Sequence, residues 1–255
     1  MQKQKGLLFD STMCVGCGEC SLACKEANNL KKTSSDPLRD QLSADTYTVV
    51  HQFVGKDNEE IYSRQLCMHC INPTCVSVCP VGAFEKTPEG PVLYDESKCI
   101  GCRYCMQACP HNIPRYEWSS NYPRVRKCIL CAHRLKDGLP TACAEVCPTG
   151  ATQFGLLEDL KKEAAERIKN NPDTYYPHIY GLNEAGGTSV LVLASVPFDR
   201  LGFAKNLPNE PLPEYTGRAL QAVPVVLSAG TAFLGGMYWL TKRKNQIAKE
   251  ENKEN

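Results

Sequence analysis

CIGCRYCMQACP, residues 99–110, separates four cysteines by two, two and three residues and closes on a proline. The 16 cysteines of this 255-residue chain fall into four groups of four, with none left over. Group one is Cys14, Cys17, Cys20 and Cys24, with the same spacing. Group two is Cys67, Cys70, Cys75 and Cys79, group three is Cys99, Cys102, Cys105 and Cys109, and group four is Cys128, Cys131, Cys143 and Cys147. Groups two and four widen their middle gap to four and eleven residues and, like group three with Pro110, end on a proline, Pro80 and Pro148.

Spacing decides the chemistry. Two cysteines separated by two residues on a tight turn aim their thiols at a common centre, which suits a metal better than a strain-free disulfide. A structural zinc needs two C-x-x-C pairs, not three or four cysteines crowded at two- and three-residue intervals. Thioredoxin-like chemistry uses a single C-x-x-C beside a βαβ pattern, a context absent here. The run C-x2-C-x2-C-x3-C-P is instead that of a 4Fe-4S site whose fourth cysteine ligates the other cluster of a pair. Four groups imply four 4Fe-4S clusters, with all sixteen cysteines as iron ligands. A formal net charge of +1 leaves no electrostatic footprint for nucleic acid.

In each group three thiolates on a short loop hold three irons, and the fourth, at the start of a helix-like segment, reaches the neighbouring cluster. Proline directly after the fourth cysteine fixes the exit direction; group one has Lys25 there, so its exit is less constrained. Groups two and three lie close together with a small hydrophobic hairpin between them, and groups one and four flank that block as around an inserted unit. The crossed rule then gives four ligand sets: Cys14, Cys17, Cys20 with Cys147; Cys128, Cys131, Cys143 with Cys24; Cys67, Cys70, Cys75 with Cys109; and Cys99, Cys102, Cys105 with Cys79. Pro-x-Gly-Ala recurs at Pro80–Ala83 and Pro148–Ala151 as a turn before a short strand, with Gly82 and Gly150 as plain turn glycines. His69, His111 and Lys127 adjoin cluster cysteines, where charge or hydrogen bonding can tune a potential; with no ligand vacancy to fill, the favoured reading is ordinary surface or packing residues.

Thr46 to Val54 reads as a strand, followed by a polar loop around Gly55 to Glu60. Apolar positions Leu157, Leu160, Ala164, Ala165 and Ile168 recur at helical spacing from Leu157 to Asn170, where Asn171-Pro172 stops the run. The aromatic stretch Tyr175 to Gly181 reads as core or subunit interface, Val190 to Leu193 as a strand, and Asn206 to Pro213 as an extended linker. Ala219 to Leu240 has no formal charge over 22 residues, enough at about 1.5 Å per residue to cross a hydrocarbon core about 30 Å thick. Lys242, Arg243 and Lys244 follow it, so the positive-inside rule puts the C-terminus in the cytoplasm and the cluster domain on the periplasmic face. Met1 to Gly6 hold no apolar signal region. Export with a signal-bearing partner, a signal removed before residue 1, or a cytoplasmic cluster domain would each reconcile the two readings.

The segments FDSTMCVGCGEC (9–20), CMHCINPTCVSVCPVGA (67–83), CIGCRYCMQACPHNIPRY (99–116), GLPTACAEVCP (138–148) and YYPHIYGLNEAGGTSVLVLASVP (175–197) resemble the iron-sulfur subunits of membrane-bound respiratory oxidoreductases. That family includes the β subunits of formate dehydrogenases and dimethyl sulfoxide reductases, and the resemblance is narrowest to the HybA-type subunits of uptake nickel-iron hydrogenases. It implies a relay in the order group one, four, two, three, between a catalytic subunit and a polytopic quinone-reactive or cytochrome b membrane subunit. Relatives with tryptophan in place of a group-three cysteine carry a 3Fe cluster; Cys102 here implies 4Fe.

The expected fold is α+β: two ferredoxin-like 4Fe-4S dicluster units, a C-terminal extension and one transmembrane helix. Residues 1–155 form the nested double domain, with groups one and four flanking an inserted unit at 60–125. Residues 156–212 form the extension, 219–240 the membrane span and 241–255 a charged tail. No catalytic residue is expected, since the chain has no spare cysteine nucleophile and no phosphate-cradling glycine loop after a strand. The expected role is non-catalytic electron transfer beside a nickel-iron hydrogenase, anchored in membrane lipid. The alternatives are the same role in a formate dehydrogenase, another molybdenum or tungsten oxidoreductase or a multihaem cytochrome complex, and, in another class, a free-standing membrane-tethered ferredoxin. The extension from Tyr175 to Leu212 argues against the last, because a free shuttle has little use for a large aromatic surface.

Overall fold

The computed structural model describes residues 4–55 and 58–254. Met1 to Lys3 of the N-terminal stretch, Lys56 and Asp57 of the polar loop, and Asn255 of the tail lie outside the described residues. The chain divides into two units, Met1–Leu212 and Pro213–Asn255. In chain order the first contains β1 (Lys5–Asp10), α1 (Glu19–Ala27), β2 (Val49–Val54), β3 (Glu60–Gln65), α2 (Thr74–Ser77), β4 (Phe84–Lys86), β5 (Val92–Tyr94), α3 (Tyr104–Ala108), β6 (Arg115–Tyr116), β7 (Val125–Arg126), α4 (Ala132–Lys136), α5 (Ala142–Glu145), β8 (Thr152–Leu156), α6 (Leu157–Asn170) and β9 (Val190–Leu193). This mixture of helix and strand is an α+β content.

Lys5–Asp10, which the sequence presents only as the approach to Cys14, is the middle strand of the sheet β8-β1-β9. It runs antiparallel to β8, with Leu7 opposite Phe154, and parallel to β9, with Leu7 opposite Val190. Side chains alternate across a strand, so Leu7, Phe9, Val190 and Val192 join one core, which also holds Cys24, Cys128 and Cys143. Leu8, Leu191 and Leu193 point the other way, onto Leu157, Leu160 and Ala164 of α6. Both faces of the sheet are therefore covered, which explains the unbroken apolar runs LLF and VLVL. α6 and β9 have the boundaries that their periodicity predicts, whereas the strand expected from Thr46 begins three residues later, at Val49.

Three two-stranded ribbons, β2-β3, β4-β5 and β6-β7, complete the unit. The ribbon β4-β5 is the hairpin expected between groups two and three. Helix α1 packs on α5, and α2 on α3, so the segments of groups one and four meet, as do those of two and three. Tyr175 and Tyr180 of the aromatic stretch are core, while Tyr176 is exposed: the Tyr180 ring packs tilted against Phe198 and Phe203 at centroid distances of 5.3 and 4.6 Å, and the Tyr175 hydroxyl donates to Asp10 Oδ2 at 2.8 Å.

The second unit is α7 (Leu212–Glu254), a single helix of 43 residues. It takes in the end of the expected linker, the expected span 219–240 and the described part of the tail. Lys, Gln, Ala and Glu are strong helix formers, and no proline or glycine follows Gly236 to stop the helix. Pro224 lies inside it, and the Ser228 hydroxyl donates to the Pro224 carbonyl. By length and composition it is the one helix among the described residues able to cross a membrane.

Leu191 is fully buried between β1 and α6. Leu191→Ala is expected to cost about 2–5 kcal/mol, read as a lowered midpoint for unfolding of the cluster-loaded protein in denaturant.

Candidate metal centre

All sixteen cysteines are free thiols. The loops that carry them repeat one backbone device. Two residues after the first cysteine of each group the chain turns left-handed: Gly16 (φ 67°), His69 (φ 48°), Gly101 (φ 72°) and Leu130 (φ 51°). This conformation turns backbone N–H groups towards sulfur, and Gly101 and Leu130 donate to Cys99 Sγ and Cys128 Sγ, each at 3.4 Å. Glycine adopts it freely, whereas His69 and Leu130 do so under the grip of a buried setting. The approach repeats too. Asp10 accepts from Thr12 N–H and Asp95 from Ser97 N–H, both at 3.0 Å, capping the 3-10 turns that deliver Cys14 and Cys99.

The exits differ from expectation. In groups two, three and four the short helix comes before the fourth cysteine rather than after it: α2 ends just ahead of Cys79, α3 at Cys109 and α5 just ahead of Cys147. A proline disfavours helical geometry in the residue before it, so Pro80, Pro110 and Pro148 end these helices. Each chain then turns through a left-handed residue three past the cysteine, Gly82, Asn112 or Gly150, whose N–H donates back to that cysteine's carbonyl. Gly82 and Gly150 are thus turn glycines, and Asn112 fills the same place in group three. Lacking a proline, group one continues α1 through Cys24 to Ala27. Its exit is not loose, because Lys25 is buried and its ammonium meets Asp40 Oδ2 at 2.5 Å.

Burial and mutual repulsion reveal which thiols are neighbours. Burial raises the Cys14 pKa, with Cys147 and Cys17 adding to it. Burial likewise raises Cys24, where Cys143 and Cys131 add most among the thiols. It pushes Cys75 up to about 12, helped by Cys67 and Cys109, and Cys105 up to about 11, helped by Cys102, Cys99 and Cys79. Each group's fourth cysteine therefore lies beside the other group's loop. A cavity lined by Cys24, Cys128, Cys131 and Cys143, together with Leu7, Thr48 and Arg64, brings these four cysteines around a shared space. Beyond burial, charge effects also reach between these groups: a thiolate at Cys143 raises the Cys20 pKa, one at Cys67 raises Cys128, and one at Cys105 raises Cys75.

This donor set fits an iron-sulfur cluster. Thiols that burial holds protonated become thiolates only against a positive metal centre. Among the described residues no three His, Cys, Asp or Glu side chains converge as ligands of a single ion, whereas a cubane takes its thiolates on separate irons. Cys17 and Cys102 are exposed, while Cys24, Cys105, Cys128, Cys131 and Cys143 are buried.

His69 and Lys127 are buried, not surface residues. His69 Nδ1 accepts the Val92 N–H at 2.9 Å, and Lys127 Nζ donates to the carbonyls of Val92 and Cys128. His111 is partly buried, with its ring 6.1 Å from that of Tyr180. Sequence reasoning missed Arg64 and Lys86. Arg64 is 2% exposed, and Lys86 Nζ donates to His69 O at 2.9 Å and Ser189 Oγ at 3.1 Å. The aspartate repeat was visible as D-x3-C in DSTMC and DESKC; Arg64, in the middle of a β-strand pattern, carried no such signal.

Residues 59–157 match the 4Fe-4S dicluster domain family. A protein of Nitratidesulfovibrio vulgaris is 42% identical over 259 residues, covering 98% of this chain and 70% of the relative. The hydrogenase-2 operon protein HybA of Escherichia coli O157:H7 is 42% identical over 239 residues, 78% of this chain and 73% of HybA. The formate dehydrogenase-O iron-sulfur subunit of Escherichia coli K12 is 34% identical over 221 residues, 82% of this chain and 73% of that subunit. With its cysteine loops and these relatives together, the chain belongs to the 4Fe-4S electron-transfer subunits of hydrogenase- and formate dehydrogenase-type oxidoreductases.

Proposed function

We propose that this chain is a four-cluster wire between a catalytic subunit and a quinone-reactive membrane subunit. The ligand sets are Cys14, Cys17, Cys20 and Cys147; Cys128, Cys131, Cys143 and Cys24; Cys67, Cys70, Cys75 and Cys109; and Cys99, Cys102, Cys105 and Cys79. When bound, the clusters supply one-electron oxidation and reduction. The protein's part is to hold the thiolates, shield the inner sets from water and keep successive sets adjacent.

The observation that carries this reading is that the packing of α1 on α5 and of α2 on α3 brings the cysteine groups together in pairs, with thiols linked electrostatically from Cys20 to Cys143, Cys128 to Cys67 and Cys75 to Cys105. It supports the order group one, four, two, three. Exposed Cys17 and Cys102 at the outer sets supply two electron entry and exit points. The packing of α1 on α5 and of α2 on α3 supports two ferredoxin-like units, one inserted in the other over roughly residues 60–125 of a domain spanning 1–155, with the extension at 156–212. Identity of 42% to HybA against 34% to the formate dehydrogenase subunit favours a nickel-iron hydrogenase as the catalytic partner. The apolar span 219–240 within α7 anchors the chain, and Lys242, Arg243 and Lys244 favour a cytoplasmic C-terminus and a periplasmic cluster domain.

Purification of the native complex in mild detergent tests the role: a nickel-iron large subunit and a polytopic membrane protein should co-purify, with iron sufficient for four clusters per chain. A molybdenum subunit in their place would move the chain to a formate dehydrogenase-type complex, and no partner would reject the wire. The crossed ligation is tested by Cys109→Ser, which should abolish or alter the paramagnetic signal that Cys70→Ser also affects. If the altered signal is instead the one affected by Cys102→Ser, the crossed assignment is wrong.

A further inference from the structure

The buried and partly buried cations of the first unit differ in their partners. Two meet carboxylates: Lys25 lies 2.5 Å from Asp40 with both side chains 6% exposed, and the partly buried Arg167 lies 2.8 Å from the buried Asp10. For the buried Arg64 and Lys127 and the partly buried Lys86 the hydrogen-bond partners are uncharged. Arg64 Nε donates to Thr48 Oγ1 at 2.9 Å and its Nη1 to Thr152 Oγ1 at 3.0 Å. Lys86 and Lys127 bond only to carbonyls and the Ser189 hydroxyl. Among the described residues none of these three forms an ion pair with a carboxylate. A fully buried guanidinium left without countercharge is expensive, so the countercharge must lie elsewhere.

For Arg64 the geometry identifies it. The residue lies within β3, is 2% exposed and lines the cavity with Cys24, Cys128, Cys131 and Cys143. Thr48, just ahead of β2, and Thr152, at the start of β8, fix the fork in place. Cys143 and Cys20, from adjacent ligand sets, stand close enough to act on its charge. A cluster held by four thiolates is anionic and gains one more negative charge on accepting an electron, and net charge is one of the factors that set its potential. A fixed cation in a low-dielectric site stabilises the more negative, reduced form.

We infer that Arg64 is the built-in counter-cation of the group-one and group-four cluster sites, and that its permanent charge raises the reduction potentials of both. It is an electrostatic residue, not a ligand. The inference rests on the ligand sets proposed above.

The test is a potentiometric titration of the native complex, followed by electron paramagnetic resonance, in the unsubstituted chain and in Arg64→Met and Arg64→Lys. Cys17→Ser and Cys131→Ser identify the signals of the two sites. Arg64→Met should lower the reduced-to-oxidised ratio of those two signals about tenfold at fixed ambient potential, a shift of about 59 mV for one electron. The other two signals should stay in place, and Arg64→Lys should remain close to the unsubstituted chain. Full iron content with unshifted potentials in Arg64→Met would overturn the inference, as would equal shifts in both variants. If Arg64→Met fails to load iron, Arg64→Lys decides: normal loading with unshifted potentials upholds the role of charge, and failure to load overturns it in favour of shape. If Cys17→Ser and Cys131→Ser leave separate signals unaltered, the proposed ligand sets fail first, a result distinct from unshifted potentials.

Discussion

The pairing of Lys5–Asp10 with Thr152–Leu156 on one side and Val190–Leu193 on the other is the interaction on which the rest of the cluster-bearing unit depends. It joins the two ends of the cysteine-bearing segment, so that the loop after Asp10 and the turn after Cys147 emerge at the same place. Buried Leu7 and Phe9 then pack with Cys24, Cys128 and Cys143 in a single core. Asp10 holds the corner, capping the turn into Cys14 while accepting from Arg167 and Tyr175. One strand thus ties the C-terminal extension to the first cysteine loop, which gives the extension a structural role beyond any docking surface.

Around that frame the loops solve the same problem four times. A left-handed residue two past the first cysteine curls the backbone so that N–H groups reach sulfur, and a left-handed residue three past the last redirects the chain where proline has ended a helix. Group one departs from this with Lys25 in place of proline, and the longer α1 is the result. The Lys25–Asp40 pair then pins what a proline turn fixes elsewhere.

The buried and partly buried charges differ in their partners. Pairs such as Lys25–Asp40 and Arg167–Asp10 are closed within the protein and neutralise themselves. Arg64, Lys86 and Lys127 are held by neutral oxygens beside the thiols, so their charge remains available to whatever those thiols bind. A fold that buries many acidic ligands needs such cations, since thiols raised by burial and by each other resist becoming thiolates.

The chemistry and several local elements are legible in the chain itself. Thiol spacing points to cluster ligation because a two-residue gap aims neighbouring thiols at one centre, even where groups two and four stretch their middle gap. The boundaries of α6 and β9 follow from the periodicity of apolar side chains and from Asn171-Pro172. What depends on residues distant in the chain came only with the folded structure: the central place of β1, the burial of Lys25, His69 and Lys127, and the hydrogen bonds of Arg64 to Thr48 and Thr152. None of these could be read locally. A strand reveals its two faces but not its neighbours, and a charged side chain shows its cost and its purpose only once the fold has removed it from water.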